Sequence, residues 1–166
     1  MNAELLYKKM LEALRLRAQQ GAFEIAGLAI GGAWIAERLA QDLGLAHFGV
    51  INVAFHRDDY AEKGMTALRT ASTMTTHLPF DVNGANVILI DDVLFTGRTV
   101  RAALNELFDF GRPAKVELMV LADRGHRELP VCANFVGETT VVSDDQILVL
   151  QKNDAGQFDF VLEERE

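Results

Sequence analysis

Cysteine is almost absent from this chain. The single Cys132 can form no internal disulfide, and its apolar neighbours read as the setting of a small buried residue rather than a reactive thiol. Long apolar runs are missing too. The uncharged stretch near the start, Ile25 to Ala36, is interrupted by Gly27, Gly31 and Gly32 and falls short of the roughly 20 residues that span a bilayer. The first residues lack the basic-then-apolar order of a secretion signal. These absences point to a reducing compartment, the cytoplasm, with no membrane partner. No cluster of His and Cys has metal-ligand spacing, so no metal site built by the protein alone is expected. No repeat, linker or low-complexity tract divides the 166 residues, and an apolar content of 49% suffices for one core. A single domain over 1–166 follows.

Positive charge is scarce, and its distribution is uneven. The net charge is −8, and from Glu138 to Glu166 eight acids face two bases. Between Gly97 and Arg127 the balance reverses, with Arg98, Arg101, Arg112, Lys115, Arg124 and Arg127 outnumbering four acids. Such a local positive field suits phosphates, although arginines at solvated helix and loop positions would give the same count.

What the chain does contain centres on residues 87–99. Val87, Ile88, Leu89 and Ile90 run without alternation, as in a strand buried on both faces, and the run stops at Asp91 and Asp92. The turn Thr96-Gly97-Arg98-Thr99 then opens a helical pattern from Val100 to Phe110, with Val100, Ala103, Leu104, Leu107 and Phe108 as its apolar positions. Small side chains, hydroxyls and backbone N–H groups at a helix N-terminus favour an anion. If the ligand is a phosphorylated sugar, its 5′-phosphate sits there. Asp91 and Asp92 would be repelled by that phosphate, and instead accept from sugar hydroxyls or hold a divalent cation through water. A chance Asp-Asp at the mouth of an ordinary strand-turn-helix is the alternative.

Asn2 caps a helix to about Ala18 with Leu6, Met10, Leu14 and Ala18 on one stripe. Phe23 to Ile30 reads as a strand, and Ile30-Gly31-Gly32 opens a helix to Leu43. That glycine pair is either a second phosphate loop or a tight turn. Phe48 to Phe55 is a strand ending at His56-Arg57-Asp58-Asp59. The Thr-, Ala- and Met-rich segment from there to His77 has no firm period, as expected of a lid or of a partner-binding loop. Lys115 to Ala122 is a buried strand that carries Asp123-Arg124-Gly125-His126-Arg127 to the same edge as Asp91 and Asp92. His126 alone reads more often as structural than as catalytic. Phe135-Val136 is a short strand, and Ile147 to Gln151 pairs with Phe158 to Leu162 across Asn153-Asp154-Ala155-Gly156 as a terminal hairpin. The fold class is α/β, a mostly parallel sheet flanked by helices with a small β hood from the C-terminal region.

The string from Asp91 to Ala103, with Gly111-Arg112-Pro113 and Asp123-Arg124-Gly125-His126-Arg127-Glu128-Leu129-Pro130, resembles the PyrR family. These are pyrimidine operon regulators with uracil phosphoribosyltransferase activity, of the type I phosphoribosyltransferase superfamily. The resemblance runs from about Leu28 to Val149. It implies that phosphoribosyl pyrophosphate (PRPP) and uracil give UMP and pyrophosphate with substrate-bound Mg²⁺. It implies that Asp91 and Asp92 are catalytic and hold the ribose hydroxyls, and that Thr96, Gly97, Arg98 and Thr99 hold the 5′-phosphate beside Val93. Gly31, Gly32 and Arg57 fall on the diphosphate side, and Asp123, Arg124 and His126 near the uracil. Family members carry Thr-Arg-Gly or Thr-Gly-Gly where this chain has Ile30-Gly31-Gly32. Loss of a charge-assisted contact of about 1.5–3 kcal/mol predicts a weaker diphosphate grip.

The resemblance also implies a homodimer or tetramer, and it brings a second function into view. A UMP-sensing regulator that binds pyrimidine-leader RNA, with weak or no catalysis, needs a basic face. The acidic stretch from Glu138 to Asp145 offers none, and a catalytically weakened nucleotide sensor acting through protein contacts is a further alternative.

Overall fold

The computed structural model describes residues 1–53 and 75–166. Arg57 and the expected lid as far as residue 74 lie outside the described residues. Asn2 starts helix α1 (Ala3–Ala18), its Oδ1 accepting the Leu5 N–H at 3.1 Å as an N-cap should. The buried stripe is Ala3, Leu6, Tyr7, Met10 and Leu14. Ala18, expected to continue it, lies in the exposed last turn.

Five strands then build one parallel sheet: β1 (Glu24–Leu28), β2 (Gly49–Ile51), β3 (Asn86–Leu94), β4 (Lys115–Asp123) and β5 (Phe135–Thr139), in the order β2-β1-β3-β4-β5. Helix α2 (Gly31–Leu43) connects β1 to β2, and α3 (Arg98–Asp109) connects β3 to β4. The uniform apolar run of β3 is explained by burial on both faces. Ile88 and Ile90 join the cluster of α1 and α2, while Val87 and Leu89 join that of α3.

Three expectations are corrected. The β3 strand does not end at the acidic pair but runs through it to Leu94, because β4 goes on pairing with it, Asp91 opposite Val120 and Leu94 opposite Asp123. Phe108 is 53% exposed, since the buried positions Val100, Ala103 and Leu107 recur at i, i+3 and i+7 and turn the next residue outward. Cys132 is exposed rather than buried, lying in the irregular segment between β4 and β5, where no regular packing face covers it.

The C-terminal hairpin, β6 (Gln146–Lys152) and β7 (Phe158–Glu164), is antiparallel and separate from the main sheet. Val142 and Leu148 pack with Ala122, Val93 and Phe160 over the carboxyl end of β4, so the hairpin is the expected hood. A polar and aromatic joint anchors it to α1. Arg38 Nη1 donates to Glu4 Oε2 at 2.6 Å, and the same oxygen accepts the Phe158 N–H at 3.2 Å. The Arg38 guanidinium lies 4.0 Å over the Tyr7 ring. Tyr7 donates to Asp42, and burial together with that hydrogen bond pushes its phenol well above the usual value. Among the described residues no helix is long and apolar enough to cross a membrane.

Candidate active site

The site forms where β1 and β3 part. Their pairing ends at Gly27 opposite Ile90, and β1 itself stops at Leu28. From Asp91 onward β3 continues beside β4 alone, so a crevice opens at the switch point of the 2-1-3-4-5 order, where ligands bind in such sheets. Asp91 is 1% exposed. Its Oδ1 accepts the Asp92 N–H at 2.9 Å, and Asp92 Oδ1 accepts the Val93 N–H at 2.8 Å. Each carboxylate is therefore oriented by the backbone of the next residue.

Across the crevice stands the start of α2. Ile30 is its N-cap residue, in right-handed conformation (φ −103°, ψ −42°) with no capping side-chain bond, and the Ala29–Ile30 peptide is cis. Gly31 faces the Asp92 carboxylate so closely that a Cβ there would overlap Oδ2 and stand 2.8 Å from Cγ. Gly32 abuts the Ile90 carbonyl, and a Cβ on Gly27 would lie 2.7 Å from Ala33 Cα. Close backbone approach thus requires all three glycines. The first N–H groups of α2 have no acceptor within the helix.

The expected phosphate loop is shaped by its contacts with a segment thirty residues later. Gly97, at φ +94°, is the N-cap residue of α3 without a side-chain cap. The Thr96 carbonyl accepts the N–H groups of Glu128 and Leu129 at 2.9 and 3.1 Å. Thr96 Oγ1 accepts the Arg98 N–H at 3.2 Å, and Arg98 Nε donates to Glu128 at 3.1 Å. Thr96 and Thr99 are both buried. The result is an N-terminal helix turn held open by backbone bonds behind it, as an anion site needs.

At the end of β4, Arg127 chelates Asp123, Nη1 to Oδ1 at 2.9 Å and Nη2 to Oδ2. Partial burial raises the Asp123 pKa, but the Arg127 hydrogen bond, the Gly125 N–H and the Arg127 charge outweigh it and hold the carboxyl below its usual value. Gly125 and His126 both have positive φ, +73° and +56°, and His126 is exposed. The structure brings Asp91, Asp92, Val93, Gly31, Gly32, Thr96 to Thr99, Asp123 and His126 to the carboxyl ends of β1, β3 and β4.

Arg124 departs from its expected place. Its guanidinium is buried against Phe95 and hood carbonyls, so it does not face the crevice, because the hood covers it from residues that only the fold brings near. Two residues were missed. Phe95 holds its carbonyl out to Arg127 Nη1 at 2.7 Å, and Arg127 binds Asp123. The only sequence signal for either was membership in the same two strings. Among the described residues no three His, Cys, Asp or Glu gather as a metal cage. The partly exposed Asp92 carboxylate beside Gly31 fits a water-mediated contact to a divalent cation carried by a diphosphate.

Comparison with known proteins places these features in a family. The phosphoribosyl transferase domain model matches residues 2–151. The chain is 51% identical over 158 residues to the "Bifunctional protein PyrR" of Ralstonia nicotianae, covering 93% of this chain and 88% of the relative. It is 41% identical over 164 residues to that of Nitrosococcus oceani, covering 95% and 90%. Among solved structures, the hypoxanthine phosphoribosyltransferase of Trypanosoma cruzi superposes with a TM-score of 0.65 at 16% identity, over 100% of this chain and 95% of that one. That likeness is one of fold.

Proposed function

The chain belongs to the phosphoribosyl transferase family and, within it, to the PyrR proteins, and on that premise we propose that it joins uracil to PRPP. Uracil N1 bonds to the anomeric carbon of the ribose. The bond from that carbon to the diphosphate oxygen breaks, its electron pair leaves on pyrophosphate, and the N1 proton is lost, giving UMP. The observation that carries this reading is the crevice itself, with the Asp92 carboxylate against Gly31 and the Asp91 backbone against Gly32 on one side and the Thr96 to Thr99 turn at the other.

In this reading the N–H groups of the Thr96 to Thr99 turn hold the 5′-phosphate. Asp91 and Asp92 accept from the ribose hydroxyls, and the negative charge of Asp92 stabilises the cation that develops on the ring as the diphosphate departs. The N-terminal turn of α2, Gly31 and Gly32, receives the diphosphate through backbone donors, with Arg57 as a further cation. Mg²⁺ arriving with PRPP would supply charge neutralisation on the leaving group, and Asp91 and Asp92 would be the residues to hold it through water. Uracil lies beside the turn from Asp123 to Arg127, where Val93 and His126 border it and the Arg124 side chain is turned away under the hood. With the Asp123 side chain engaged by Arg127, its backbone and that of its neighbours remain to read the base.

The test is product identity. Incubated with PRPP and Mg²⁺, the protein should form UMP from uracil and should leave guanine, hypoxanthine and orotate unchanged. Turnover of a purine instead would overturn the pyrimidine assignment.

The relatives' name, "Bifunctional protein PyrR", supports a second role, UMP-dependent binding of a pyrimidine-leader RNA. A band shift that weakens steeply with salt and strengthens with UMP would establish it. Half-exposed Phe108 and Phe110 support assembly of the cytoplasmic protein as a homodimer or tetramer, which sedimentation measures directly.

A further inference from the structure

Among the described residues, Arg124 is the only buried cation, at 3% exposure, and it forms no close ion pair, Asp144 acting on it only through its charge. A buried charge without a directly paired counter-ion is expensive unless strong acceptors and polarisable surfaces surround it. Arg124 Nη1 donates to the Gln146 carbonyl at 3.0 Å, and Nη2 to those of Ser143 at 3.1 Å and Val142 at 3.4 Å. The guanidinium carbon lies 3.9 Å from the centroid of the Phe95 ring. Nε has no acceptor among the described residues. Burial depresses the guanidinium pKa, Arg165 acts in the same direction, and Asp144 opposes it.

The partners of this one side chain come from regions far apart in sequence. Phe95 sits between the acidic pair and the Thr96 turn. Residues 142–146 form the strap that leads into β6. Arg124 itself opens the turn at the end of β4, its N–H bonded to the Leu94 carbonyl at 3.0 Å. The next two residues take left-handed conformations, Gly125 and then His126, and left-handed histidine is uncommon. That turn is held at both ends: by Arg124 beneath the hood, and by Arg127, which grips both Asp123 and the Phe95 carbonyl. The His126 ring meets the edge of Phe95 at 6.4 Å between centroids.

We propose that Arg124 is a positioning residue for the nucleobase: by tying the hood strap to Phe95 it fixes the height of the 123–127 turn above the phosphate loop. Its side chain touches no substrate. It determines how wide a base fits between the turn and the ribose site, and the 5′-phosphate and diphosphate sites do not depend on it.

This role rests on the uracil transferase reading, and the experiment separates the two. Steady-state kinetics are measured for wild type, Arg124→Lys, Arg124→Met and Phe95→Leu with uracil and PRPP varied separately, alongside melting temperatures. A positioning role raises KM for uracil by about tenfold or more in Arg124→Met while KM for PRPP stays within about twofold. It also relaxes the preference for uracil over hypoxanthine. Arg124→Lys, which keeps the charge but not the planar fork, falls between, and Phe95→Leu moves KM for uracil in the same direction. A lowered melting temperature with both KM values unchanged, or both raised in parallel, overturns the proposal and leaves Arg124 a plain staple. If Arg124→Met does not fold, the lysine variant and Phe95→Leu decide by the same ratio. If wild type acts on a different base, the uracil reading fails, and the KM ratio taken with that base still tests Arg124. If wild type turns over no base, affinities for UMP and PRPP replace the KM values, and equal losses of both overturn it.

Discussion

Gly31 and Asp92 face each other across the crevice with no room between them for a methyl group. They come from different elements, the first turn of α2 and the extended end of β3, and the absence of a side chain at one defines the position of the carboxylate at the other. An arginine at 31, as in some family members, would therefore require a different placement of Asp92 or of the turn.

That contact makes Gly31→Ala a probe of the site. The new Cβ displaces the Asp92 carboxylate, and kcat/KM for PRPP should fall by about 10- to 100-fold, or roughly 1.4–2.7 kcal/mol. Gly32→Ala differs, because its Cβ meets the Ile90 carbonyl and Asp91 Cα, which are backbone. That variant should lose stability by about 1–3 kcal/mol, seen as a lower urea midpoint, whereas Gly31→Ala should nearly retain the wild-type midpoint.

Ile30→Thr tests whether a missing hydroxyl weakens the diphosphate side. Residue 30 has right-handed rather than extended backbone, so a hydroxyl there is not set to cap α2 in the usual manner. The melting temperature should barely move. KM for PRPP should fall, by up to about tenfold. An unchanged KM would mean that the backbone donors already suffice.

Arg38 tests the hood's anchorage apart from the chemistry. Arg38→Ala removes the bond to Glu4 and the stacking on Tyr7 and Phe158. A loss of about 2 kcal/mol is expected from chemical denaturation. At a temperature where the variant is folded, KM for uracil should match wild type.

The Asp123 carboxyl is held below its usual value in the folded chain. A depressed folded pKa contributes stability that is fully present above the unfolded value of about 3.9 and is lost as pH falls through the folded value. Above pH 5 the contribution should be constant. In acid, wild type should lose more stability than Asp123→Asn, measured as urea midpoints between pH 5 and pH 2.5.

Local signals explain what the sequence disclosed. Residues 87–90 are uniformly apolar because sheet neighbours and helices cover both faces, and Gly97 reads as a turn because only its left-handed φ admits the chain. The closing hairpin was legible from the Asn153 to Gly156 turn. What stayed hidden depends on distant partners. Arg124 looks like any motif arginine until residues 142–146 are folded over it, and its removal from the crevice could not be read from its neighbours. The continuation of β3 through Asp91 was hidden likewise, since it depends on pairing with β4, whose residues lie some thirty positions later in the chain. Phe108 fitted the stripe in one dimension, and the register of Val100, Ala103 and Leu107 turned it out.

The central claim is that the Asp91–Asp92 crevice transfers ribose phosphate to uracil. UMP formation from uracil, PRPP and Mg²⁺ by wild type and Asp92→Asn, with folding of both verified by melting, tests it most directly. Wild type should form UMP, and the variant should lose at least about 100-fold in kcat. Equal rates from the two proteins, or no UMP from wild type, would contradict it.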